Sequence, residues 1–142
     1  MKRTEPLFRP KRLYAGIGGY FGPSYGIKLA GRVLSYEARP DDFAGPSLLL
    51  PEIEPTDEQW RAFRRALDKI NVWQWQALYP NPGVLDGTQW TFEVTYSDHV
   101  LKTHGDNNYP DAQGAPINSP DGTKTFESLM RAIRKLTGRP FQ

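Results

Sequence analysis

His104 and the residues after it are the densest set of side chains in this sequence that can do chemistry. His104, Asp106, Asn107, Asn108 and Tyr109 stand almost side by side, and Glu93 lies a short way upstream. An imidazole beside carboxylates can act as a general base or join a weak metal site. The same residues also suit a structural task, because Asp and Asn shape loops through side-chain to backbone hydrogen bonds. His99 is the only other histidine, and its odd separation from His104 puts the two on opposite faces of a regular strand. They cannot share a metal there without a bulge.

Other chemical signatures are missing. The chain has no cysteine, which excludes a thiolate nucleophile, a thiolate metal site and a disulfide, and suits a reducing cytoplasm. No Gly-x-Ser-x-Gly elbow occurs. The run Gly16 to Gly22 is glycine-rich, but Phe21 stands where a dinucleotide fingerprint needs glycine, and a turn follows rather than a helix. These glycines read as strand kinks or close backbone approaches. Gly122-Thr123-Lys124-Thr125 lacks the order of a phosphate loop and reads as a helix cap. Asp106 and Asn108 open like a calcium loop, but Pro110 and Asp111 break the pattern. No catalytic residue, metal ligand or cofactor is assigned.

The elements that must position His104 begin with a hairpin. Trp90 to Tyr96 alternates strictly between apolar and polar, the period of a half-buried strand. Ser97-Asp98 supplies a turn, and His99 to Gly105 returns. That turn sets Tyr96 opposite His99, Val94 opposite Leu101 and Glu93 opposite Lys102. Upstream, Leu13–Phe21, Tyr25–Leu29 and Arg32–Ala38 read as a meander of three strands. Arg39 to Pro55 reads as a long connection. Thr56 and Gln59 then form a capping box with Asp57 and Glu58 in the first turn, and Trp60, Phe63, Leu67 and Ile70 make one helical stripe. Val72–Trp75 reads as a short strand carrying both tryptophans on one face, while Trp60 and Trp90 belong to the core. Tyr79–Gly83 and Asp86-Gly87 are turns. Asp106 to Gly122 reads as a polar, proline-rich loop. Phe126, Leu129, Met130, Ile133 and Leu136 mark a second helix, closed by Gly138 with Pro140 beyond.

The expected fold is α+β, a mainly antiparallel sheet of about five strands with two amphipathic helices in the order β-β-β-α-(β)-β-β-α. Both helices cover one face of the sheet, or one lies on each side. The 142 residues suit a single domain over 1–142, with residues 1–10 as a flexible arm. That basic start has no apolar core and is not a secretory signal. No apolar run is long enough to span a membrane.

The net charge of +2 is unevenly spread. Residues 1–12 are basic, 37–58 acidic, and the C-terminal helix basic again. Either the segments complement one another or a basic surface meets an anionic partner. Three functions follow. The first is a non-enzymatic binding or accessory module that recognises a protein partner or small ligand through His104, Asp106, Asn107, Asn108, Tyr109 and the nearby sheet face. The second is nucleic-acid binding by the helix faces through Arg61, Arg64, Arg65, Arg131, Arg134 and Lys135. The third is a hydrolase or metal-dependent enzyme centred on His104, Asp106 and Glu93.

Several stretches together carry a resemblance. They are Thr56-Asp57-Glu58-Gln59-Trp60, the hairpin with Trp90, Phe92 and Val94, the loop Gly105 to Pro110, the helix with Phe126, Leu129 and Ile133, and the opening Gly19 to Pro23. Across residues 13–138 the chain resembles a group of small uncharacterised bacterial α+β proteins, a domain of unknown function. The resemblance implies a bacterial, cytoplasmic, single-domain protein and assigns no site residue.

Overall fold

The computed structural model describes residues 8–19, 23–39, 48–83, 87–119 and 122–142. Its strands are β1 (Arg12–Gly19), β2 (Ser24–Ala30), β3 (Val33–Arg39), β4 (Leu48–Ile53), β5 (Leu78–Tyr79), β6 (Thr88–Thr95), β7 (Val100–Asp106), β8 (Asn108–Pro110) and β9 (Pro116–Asn118). The helices are α1 (Asp57–Ile70) and α2 (Lys124–Thr137). One seven-stranded sheet runs in the order β4-β3-β2-β1-β6-β7-β5, antiparallel except where β5 pairs with β7. β8 and β9 form a separate two-stranded hairpin.

Alternation along each strand decides which face is covered. Leu13, Ala15 and Ile17 of β1, Trp90, Phe92 and Val94 of β6, and Leu101 and Thr103 of β7 are buried. Ile27 of β2 and Leu34 and Tyr36 of β3 continue that layer. The helices bury Trp60, Phe63 and Leu67 from α1 and Phe126, Leu129, Met130 and Ile133 from α2 in the same core, and they pack against each other. Both helices therefore lie on one face, and among the described residues no element covers the other face of the sheet.

Several sequence expectations hold in detail. Glu93 faces Lys102, Val94 faces Leu101, and the Tyr96 N–H donates to the His99 carbonyl at 2.7 Å. The capping box closes in both directions. The Thr56 hydroxyl accepts from the Gln59 N–H at 3.1 Å, and the Gln59 side chain accepts from the Thr56 N–H at 2.8 Å. Thr56→Ala removes an N-cap and is expected to lower stability by about 1 kcal/mol, read from urea unfolding midpoints. Gly138 ends α2 in the left-handed region at φ 69°, where glycine has no Cβ to crowd the carbonyl.

Other expectations need correction. The sheet has seven strands rather than about five. β4 lies inside the stretch read as a connection; among the described residues it is an edge strand, and Pro51 falls at the irregularity where its register with β3 shifts. Val72–Gln74 is a 3-10 turn, not a strand, and it separates buried Trp75 from half-buried Trp73. Of the turn expected over Tyr79–Gly83, Tyr79 instead joins Leu78 in a strand, and the turn falls at Pro82-Gly83. The supposed loop after β7 contains β8 and β9, paired through Asn108↔Asn118, Tyr109↔Ile117 and Pro110↔Pro116. Of the expected arm, residues 8–10 are described: Arg9 pairs with Asp57, Phe8 packs on the core and Pro10 is buried. The remainder of the arm, the turns expected at Gly22 and Asp86, and residues 40–47 of the acidic connection lie outside the described residues.

Candidate functional site on the open face of the sheet

The open face carries the alternate residues of each strand. One row crosses five strands as Glu37, Gly26, Gly16, Thr91 and His104. The next runs Ser35, Lys28, Tyr14, Glu93 and Lys102. Between the side chains of these rows the two glycines leave a trough. Its main cavity, about 480 Å³, is lined by Tyr14, Gly16, Gly18, Gln89, Thr91 and His104 among others. Two smaller cavities adjoin it, and Tyr14, 42% exposed, walls all three.

The glycines differ in why they are there. A Cβ on Gly18 would fall 2.4 Å from the Ser24 Cβ, so close strand approach requires glycine. A Cβ on Gly26 would meet nothing nearer than the Ala15 carbonyl at 3.8 Å. One on Gly16 would crowd the Tyr14 hydroxyl at 3.0 Å, the far end of a side chain that can swing aside. Both lie in ordinary strand conformation, where glycine weakens a sheet through backbone entropy and lost side-chain packing. Packing therefore accounts for Gly18, Gly16 leaves room for the Tyr14 phenol that lies over it, and Gly26 borders open space that the fold itself does not need.

His104 stands on the trough wall in a hydrogen-bonded chain. Its Nε2 lies 3.3 Å from Asp106 Oδ1 and its Nδ1 lies 2.9 Å from Thr91 Oγ1. A carboxylate only accepts, so in the neutral ring Nε2 carries the proton and Nδ1 accepts from the Thr91 hydroxyl. The Thr91 oxygen then presents lone pairs to the trough. His104 and Asp106 are 40% and 34% exposed, within reach of a ligand.

The other expected contact residues work for the fold. Asn107 takes a left-handed conformation at φ 49°, and its side chain accepts from the Thr88 N–H at 2.7 Å. Asn108 is buried; its amide donates to the Pro80 carbonyl, and its own carbonyl accepts from Trp90 Nε1 at 3.0 Å. Tyr109 is buried against Trp90 and Phe126, and burial raises its phenol pKa and keeps it neutral. Of the five, only His104 lines the trough, with Asp106 behind it at 3.3 Å. Glu93 lies on the same face one row away, opposite Lys102. Among the described residues no group of three or more His, Asp or Glu side chains is placed to hold a metal ion. The two histidines do face opposite ways: His99 stacks on Trp73 on the helix side, with ring centroids 4.5 Å apart.

The basic helix residues are largely engaged. Arg61 and Arg65 pair with Glu58, and Arg134 pairs with Glu127 and donates to the Phe141 carbonyl. Arg64 is bound to Asp68 and Asp98. Arg131 and Lys135 line a surface groove beside Lys69.

Sequence reasoning missed Tyr14, Gly16 and Gly26. The signal was present in β1, where Tyr14, Gly16 and Gly18 alternate with buried Leu13, Ala15 and Ile17. Only the β1–β2 register, which sets Gly16 against Gly26, turns it into a trough.

No family model matches the chain, and no curated protein or solved structure matches it. Among the described residues no helix is long and apolar enough to cross a membrane.

Proposed function

We propose that this protein is a non-enzymatic binding module whose ligand occupies the trough on the open face of the sheet. One observation carries the reading: Gly16 and Gly26 sit side by side in mid-strand, Gly16 in the main cavity with Tyr14, Thr91 and His104 and Gly26 in the smaller cavity on the other side of Tyr14. Concave sites with a few placed polar groups are where ligands bind. The absence of cysteine is compatible with a cytoplasmic setting.

The Gly26 site separates binding from stability. Gly26→Ala is expected to leave stability unchanged or raise it by about 0.4–1 kcal/mol, because it restricts the unfolded chain without a clash. Gly16→Val and Gly26→Val project carbon into the trough and are expected to abolish binding while the fold persists. A thermal-shift panel of sugars, short peptides, nucleotides and divalent metals tests this on the wild type and both valine variants. A ligand that raises the melting temperature of the wild type alone supports the trough. Ligands that shift all three proteins equally would move the site elsewhere.

A second reading, hydrolysis, draws on the Thr91–His104–Asp106 chain, in which the histidine is placed to take the threonine proton. It ranks below binding because β6 is paired on both sides, by β1 and β7, and offers no free amides beside Thr91 to hold an oxyanion. Turnover of an ester panel by the wild type, lost in both His104→Ala and Thr91→Val, would reverse that ranking.

A further inference from the structure

The cavity beside the main trough has a different chemistry. It measures about 340 Å³ and is lined by Arg12, Lys28 and Lys102, with Glu93 as its one acid. Among the described residues none of the three cations makes an ion pair. That sets them apart from Arg61, Arg64, Arg65 and Arg134, whose charges are met by carboxylates on or near the helices. Tyr14 is the wall shared by this cationic cavity and the main trough.

We propose that the open face binds single-stranded nucleic acid, with a base in the Tyr14–His104 trough and the neighbouring phosphate over Arg12, Lys28 and Lys102. The proposal rests on the trough being the binding site and names its ligand. An exposed aromatic ring on an open sheet is a stacking platform for a base, and the glycine floor leaves room beside it. Thr91 offers an acceptor and Gln89 both a donor and an acceptor to the edge of that base. Three cations against the single carboxylate of Glu93 leave the cavity one row away net positive, which attracts the backbone. A single strand fits better than a free nucleotide because the cavities adjoin along an open surface, whereas an isolated small ligand needs a site that encloses most of it.

Fluorescence polarisation of a labelled mixed-sequence single-stranded octanucleotide at low salt tests the assignment. The wild type is expected to bind, with affinity falling as salt rises. Tyr14→Ala should weaken binding by about tenfold or more, the loss expected of one stacked base. Lys28→Ala with Lys102→Ala should reduce the slope of log affinity against log salt by about 0.7 per lost phosphate contact. Arg131→Ala with Lys135→Ala, on the helix side, should change nothing. Binding lost in the helix-side variant and kept in Tyr14→Ala would overturn the proposal. So would a free mononucleotide that binds as tightly as the octanucleotide. If the oligonucleotide fails while the thermal-shift panel still finds a ligand blocked by Gly16→Val, the nucleic-acid assignment falls and the trough stands. If both fail, both readings fall.

Discussion

Gly105→Ala is expected to destabilise the protein by about 3–4 kcal/mol, a fall of roughly 10 °C in melting temperature for a chain of this size. A Cβ at position 105 would lie 2.3 Å from Trp90 Nε1 and 2.4 Å from Cε2. Trp90 cannot retreat. It is 2% exposed and packed against Trp75, Tyr79, Tyr109 and Phe126. Its Nε1 also donates to the Asn108 carbonyl, so displacing the ring strands a buried donor as well as overpacking the core. Urea unfolding of the variant measures the loss. A double variant with Trp90→Phe should recover part of it, because the smaller ring vacates the contested space and neighbouring substitutions do not add. A single variant that melts within a degree or two of the wild type would show that this corner repacks freely. The contrast with Gly26→Ala is the point: two strand glycines, one demanded by the core and one open to the trough.

Arg64→Ala is the second large effect, about 2–3 kcal/mol at neutral pH. The guanidinium lies 4.5 Å from the Tyr96 ring centre and 5.4 Å from that of Trp73. Its two terminal nitrogens make paired hydrogen bonds to Asp98 at 3.0 and 2.8 Å, and its Nε–H is shared between the two Asp68 oxygens at 3.0 and 3.2 Å. Trp73 Nε1 donates to Asp68 at 2.9 Å, so the cation ties α1 to the hairpin tip through one connected network. Burial raises the Tyr96 phenol pKa and keeps it neutral beneath the cation.

This network sets a pH dependence. Its hydrogen bonds to Arg64 hold the Asp98 carboxyl below its ordinary value of 3.8. A carboxylate depressed in the fold contributes stability that is present above its unfolded value and lost as pH falls through the folded one. The stability gap between the wild type and Arg64→Ala should therefore be full near neutrality and narrow below about pH 4. Both carboxylates are more than a third exposed, so solvent screening moderates this contribution. Urea unfolding of both proteins at pH 7 and pH 3 reads the gap, and a difference independent of pH would rule out the ion pair as its source.

The sequence by itself determined the two helices, the β1–β3 meander and the register of the β6–β7 hairpin. Each depends on short-range information. A capping box is complete within four residues, an apolar stripe within three turns, and a two-residue turn sets both strands that flank it. The sequence also placed Thr91 beside His104, because that contact lies inside the hairpin. Tertiary structure alone decided the rest. β4, β5 and the β8–β9 pair are too short or too rich in proline to signal themselves; they are strands because a partner edge supplies their hydrogen bonds. Tyr109 looked like an exposed loop tip, but the return of α2 against Trp90 buries it. The trough arises the same way. Gly16 and Gly26 are ten residues apart in sequence and become one floor only through antiparallel pairing. Covering one face of the sheet with both helices then leaves that floor open, since a side chain's direction is local but the layer it meets is not.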